Sequence, residues 1–137
     1  MGLVLDTSAL VAMERAGGYL ADAVTPLAEE EVAIPAIVVA ELLVGVRLAG
    51  DRKRAVERQA KIDTILATVP VVDFGAEIAE AWADLFASLA KLGKRIPAND
   101  LAVAATARYL GAAVLVGPDG EAHFRRIEDL EVRVLKP

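Results

Sequence analysis

Short apolar runs, each ended by a charged or breaking residue, alternate with longer stretches of helical spacing along the whole chain. Gly2–Asp6 is the first run, a Leu-Val-Leu strand closed by Asp6. Ser8–Arg15 follows at helical spacing through Leu10, Val11 and Met13 and stops at Gly17-Gly18, and Tyr19–Glu30 reads as a second helical stretch interrupted near Pro26. Val32–Ile34 is a strand closed by Pro35, Ala36–Leu48 is an apolar helix ended by Gly50, and a helix runs from Asp51 to about Ala67 with Ile62, Ile65 and Leu66 on its buried side. Val69–Val72 is a third strand. A long helix over Phe74–Leu92 repeats Ile78, Ala81, Trp82, Leu85 and Leu89 at helical spacing. Leu92–Pro97 is a basic loop, Ala98–Leu110 an Ala-rich helix capped by Gly111, and Ala113–Val116 a fourth strand. A turn at Gly117–Gly120, a short helix over Glu121–Ile127 and a last strand at Val132–Leu135 complete the pattern. Strands alternating with helices in one short chain predict a three-layer α/β/α sandwich around a mostly parallel sheet. The length, 137 residues, suits a single domain over 1–137.

Composition narrows the chemistry. The chain has no cysteine and one histidine, His123, which removes disulfides, thiolate zinc sites, paired catalytic histidines and thiol nucleophiles. No apolar run is long enough to cross a bilayer, and the opening Met-Gly-Leu-Val-Leu-Asp reads as a core strand, not a signal peptide. The expectation is a soluble cytoplasmic protein without membrane attachment. The net charge of −5 is the wrong sign for a protein that binds nucleic acid through phosphate contacts alone. Divalent metal held by carboxylates would reverse the local charge that a phosphate meets.

In open parallel sheets ligands bind beyond the carboxyl ends of the strands, where Asp6 and Asp119 are expected. Glu41 is the only polar side chain in Ala36–Val46, and a helix apolar on nearly every side is expected to be buried. A buried carboxylate needs a partner, for which an arginine, a backbone amide or a metal ion would each serve. Asp6 could be a helix cap, although Thr7 or Ser8 could do that work instead. Asp100 stands near a helix start, with Asn99 the expected cap, and Asp119 lies in an ordinary Gly-Pro-Asp-Gly turn. Asp73 reads as a cap, and Trp82 and Phe86 as core or dimer-interface residues. A carboxylate set without His or Cys favours Mg²⁺ or Mn²⁺, and hence metal-assisted hydrolysis of a phosphodiester.

Leu5-Asp6-Thr7-Ser8-Ala9-Leu10 resembles the opening motif of PIN domains, Ala40-Glu41-Leu42 with Gly45 their second acidic motif, and Asn99-Asp100-Leu101 followed by Ala104, Ala105 and Ala107 their third. The resemblance covers the whole chain in order, and its standalone length and terminal Phe124-Arg-Arg-Ile are most similar to the VapC toxin branch. It implies an endoribonuclease cutting single-stranded or loop RNA to a 5′-phosphate and a 3′-hydroxyl. Asp6, Glu41 and Asp100 would be core metal ligands, Asp119 the fourth acid, and Ser8 a hydroxyl orienting Asp6, with Thr7 the lesser choice. Gly117 and Pro118 stand where the family usually has a hydroxyl, so Glu121 is the alternative fourth acid. Lys91, Lys94, Arg95, Arg125 and Arg126 are candidate RNA contacts, whereas Arg52–Arg58 read as solvated charges. The resemblance also implies a homodimer and a VapB-like antitoxin, with helices around Val11, Val39 and Leu43 as candidate docking surfaces. A catalytically silent PIN-like binding module is the alternative. Two other acid-at-strand-end enzymes fit less well: a haloacid-dehalogenase-like phosphatase needs a second Asp where Ser8 stands, and a receiver domain needs an acidic pair and a late lysine.

Overall fold

A computed structural model describes residues 2–16 and 30–135. The expected stop at Gly17-Gly18 and the helical stretch at Tyr19–Glu29 lie outside these residues. Five strands, β1 (Leu3–Leu5), β2 (Val32–Pro35), β3 (Val71–Val72), β4 (Ala113–Val116) and β5 (Val132–Val134), form one sheet in the order β3-β2-β1-β4-β5. Every pairing is parallel, with Leu3 opposite Val32 and Ala113, and Val114 opposite Val132. The sheet is flanked by α1 (Thr7–Arg15), α2 (Ala36–Arg47), α3 (Arg52–Leu66), α4 (Ala76–Lys91) and α5 (Ala98–Leu110). The expected α/β/α architecture is therefore present, and among the described residues its sheet is wholly parallel.

Parallel strands covered on both faces read as continuous apolar runs, and Val4, Leu5, Val114 and Val116 are fully buried. The alanines of α5 do a related job. Ala104, Ala105 and Ala107 are completely buried, and their small side chains let the helix lie close to β1 and β4, which it contacts. Thr106, buried in the same face, is satisfied by donating to the Ala102 carbonyl at 2.8 Å. Gly111 ends α5 in the left-handed region at φ 65°, where a side chain would be strained. No described helix is long and apolar enough to cross a membrane.

Several local expectations are corrected. The third strand is only Val71–Val72, because Pro70 has no N–H to pair and contributes its carbonyl alone, to Ile34 N at 2.9 Å. Glu121–Ile127 is not a helix; only Phe124–Arg126 forms a single 3₁₀ turn. Asp73 is not a cap: Gly75 stands at the start of α4 without a side-chain bond. Asn99 does not cap α5 either, since Pro97 holds that position and Asn99 lies inside the first turn. The largest correction concerns α2. Only Val38 and Val46 on it are buried, and Val44 is 53 % exposed. An apolar helix thus lies at the surface, not in the interior.

Candidate active site

The centre of the sheet sets the geometry. β1 lies between β2 and β4, so the loop after Leu5 emerges between the ends of both neighbours. Asp6 is the first residue there. Its N–H donates to Leu115 O on β4 at 3.0 Å, and its side chain is buried at 5 % exposure. It is also the cap of α1: Oδ2 accepts from Ser8 N at 3.1 Å and from Ser8 Oγ at 2.5 Å. Neither Thr7 nor Ser8 takes over the capping, contrary to expectation. Both described bonds fall on Oδ2, so one oxygen of the carboxylate does the capping.

Ser8 holds Asp6, as expected, and does more. Its Oγ also accepts from Gly117 N, at 3.0 Å, at the end of β4. This close approach leaves no room for a side chain at Gly117 or Gly120. A Cβ on Gly117 would overlap the Ser8 backbone carbonyl, and one on Gly120 would lie 2.5 Å from Ser8 Oγ. On the other side, Thr7 Oγ1 donates to Glu41 Oε1 at 2.8 Å. Glu41 is half-buried, so this hydroxyl is the described partner of the carboxylate on α2. Sequence reasoning had ranked Thr7 below Ser8; the two adjacent hydroxyls in fact serve different acids.

Asp100 projects from the first turn of α5, and His123 Nδ1 lies 2.6 Å from its Oδ2. That contact had no signal in the sequence, because His123 stands in an irregular segment beyond β4 whose path no local period sets. Burial pushes the Asp6 carboxyl above its ordinary value, the two bonds from Ser8 pull it back, and the negative charges of Asp100 and Glu41 push it up again. The three acids therefore share one electrostatic field.

Asp119 does not join them in this way. It occupies the left-handed position of the Gly117–Gly120 turn, at φ 69°, and is exposed. Glu121 carries the more telling feature: its Oε2 is buried without a hydrogen-bond partner. A carboxylate oxygen left in that condition is costly unless a cation or proton meets it. Among the described residues no three His, Asp or Glu side chains already close into a metal cage. Mg²⁺ does not need one, because it keeps several waters and takes only one or two carboxylates. The all-oxygen donor set and the orphaned Glu121 oxygen fit such an ion.

Beside the site, a groove of about 480 Å³ runs from Thr7 and Glu41 over Leu10, Val11, Leu42 and Ile62, and Arg58 and Lys61 also line it. Arg58 is not simply solvated, since it donates to Gly45 O at 3.0 Å and pins α3 to α2. On the opposite flank Lys94, Arg95 and Arg125 are exposed. Arg126 donates to Arg95 O at 2.6 Å and fixes the basic loop.

A parallel sheet whose central strand delivers a buried Asp, with further acids on α2 and α5, is the arrangement of a PIN domain. The PIN domain family model matches residues 3–130, and the chain belongs to that family. Within it, the chain is similar to ribonuclease VapC5 of Mycobacterium tuberculosis, at 34 % identity over 131 residues, covering 94 % of this chain and 92 % of that relative. It is 30 % identical over 132 residues to ribonuclease VapC of Rickettsia bellii, covering 96 % and 95 %. The crystal structure of VapBC2 from Rickettsia felis, bound to a DNA fragment from their promoter, contains a chain that matches with a TM-score of 0.83 at 27 % identity. That match covers 99 % of this chain and 100 % of that one.

Proposed function

We propose that this chain is a divalent-metal-dependent endoribonuclease acting as the toxin of a toxin–antitoxin pair in the cytoplasm. The observation that carries the reading is the shared field of Asp6, Glu41 and Asp100, brought by three separate segments to one end of the sheet. Relatives named ribonuclease VapC supply the reaction class.

Asp6, Glu41 and Asp100 would hold Mg²⁺ or Mn²⁺, with Glu121 a better-placed fourth acid than Asp119. Bound there, the ion supplies Lewis acidity and offsets the charge of the scissile phosphate. The chain's own residues do the positioning. Ser8 fixes Asp6, Thr7 fixes Glu41, and His123 restrains one oxygen of Asp100. Lys94, Arg95 and Arg125 line the approach for a polyanionic strand. The apolar groove along α1, α2 and α3, with cationic Arg58 and Lys61, suits an antitoxin segment. The exposed apolar side of α2 supports either that contact or a homodimer.

The test is incubation of purified protein with single-stranded RNA and Mn²⁺ or Mg²⁺, beside an Asp6→Asn variant and an EDTA control. Cleavage by the wild type alone is expected. Equal cleavage in all three samples refutes the metal mechanism, and intact RNA in every sample leaves a silent binding module as the reading.

A further inference from the structure

We propose that Trp82, Phe86 and Arg95 form a stacking subsite that holds an unpaired base beside the carboxylates; this rests on the ribonuclease reading above. Trp82 and Phe86 are four residues apart on α4 and share one side of it. Their ring centroids lie 5.3 Å apart and the planes differ by 14°. The Arg95 guanidinium carbon lies 5.5 Å from the Phe86 centroid. The three groups form a layered stack of two rings and a planar cation.

Core packing accounts for Trp82, which is partly buried against the core, but not for Phe86 or Arg95. The buried residues of α4 are Ile78, Leu85 and Leu89, whereas Phe86 is 40 % exposed and Arg95 is exposed. The stack is nonetheless held in place. Trp82 Nε1 donates to Ala98 O at 3.4 Å, and Arg126 donates to Arg95 O at 2.6 Å. Both bonds grip the segment that runs into α5, where Asp100 follows Ala98 within the same first turn. Arg95 of the stack and Asp100 are therefore parts of one short stretch of backbone, to which Trp82 is tied by its bond to Ala98 O.

Chemistry selects the occupant. Arg95 and Arg126 meet here, and Lys91 and Lys94 stand next to them in sequence, in a chain whose net charge is −5. Two copies of such a face repel each other, while a polyanion is attracted. A guanidinium plane can lie against a base and still turn its N–H groups to phosphate, which a lysine ammonium cannot do. Stacking of this kind tolerates any base but requires that the base be free of a duplex. The subsite thus confers preference for single strands.

The experiment measures anisotropy of a fluorescein-labelled single-stranded RNA in the Asp6→Asn background, which keeps the strand whole. Arg95→Lys retains the charge and removes the plane; Phe86→Leu retains apolar volume and removes the ring. Each is compared on the normal strand and on one bearing abasic riboses. The expected result is a roughly tenfold weaker affinity of both variants for the normal strand, with abasic binding unchanged. Equal loss on both strands, or no loss, overturns the subsite. So does unchanged RNA affinity with an altered sedimentation coefficient, which assigns the face to a second copy. Wild-type protein that neither binds nor cuts RNA overturns the ribonuclease reading as well. Wild-type cleavage alongside unaffected variants removes the subsite alone.

Discussion

Thr7 Oγ1 donates to Glu41 Oε1 over 2.8 Å and so joins the first turn of α1 to the middle of α2. Groups that orient a metal ligand without touching the ion commonly change affinity by about 10- to 100-fold when removed. Thr7→Val keeps the shape and deletes the hydroxyl. Its Mn²⁺ affinity, read by titration calorimetry, is expected to fall about tenfold while the far-ultraviolet dichroism stays unchanged. Wild-type affinity would show that Glu41 needs no support from Thr7.

Gly117 and Gly120 face Ser8 in different ways, and their alanine variants should differ accordingly. The new methyl of Gly117→Ala meets Ser8 backbone, which cannot swing aside, whereas that of Gly120→Ala meets the Ser8 side chain. The first is expected to lose about 2–3 kcal/mol of stability, measured by urea denaturation. The second should lose less stability and more activity, because it displaces the hydroxyl that holds Asp6. Indistinguishable variants would contradict this division.

Asp6 holds its proton more tightly when folded than its ordinary value of 3.8 allows, chiefly through burial and then through Asp100 and Glu41. Stability carried by the protonated form is complete below 3.8 and lost as pH rises through the elevated folded value. In metal-free buffer at pH 7, Asp6→Asn should therefore melt a few degrees higher than wild type. The gain should vanish as pH falls below 3.8. A variant less stable at neutral pH would show that the cap outweighs the buried charge.

A divalent ion held by these acids would relieve the same repulsion and so stabilise the fold. Addition of Mn²⁺ at about 100 times its dissociation constant should raise wild-type stability by about 2.7 kcal/mol, followed by thermal denaturation. Asp6→Asn should gain much less. Equal gains would place the ion elsewhere.

The strands, α4, α5 and the positions of Asp6, Glu41 and Asp100 were legible because each sits in a periodic or apolar frame that makes a lone acid conspicuous. The exposure of α2 was not legible. An all-round apolar helix is written the same way whether it packs within a core or lies at the surface, and the exposure of Val44 shows the second. The capping role of Asp6 was hidden because Thr7 and Ser8 beside it are equally suited to cap a helix. His123 beside Asp100 depends on the path of an irregular segment through a single 3₁₀ turn, which no local period encodes.

The bond from Gly117 to Ser8 spans 109 positions of the chain, and β4, which lies beside β1, is formed late in the sequence. On a translating ribosome, β1 can pair with β2 early, but its other edge must wait for β4 until the final third has emerged from the exit tunnel. Asp6 and Asp100 are thereby brought to the same end of the sheet only as synthesis closes.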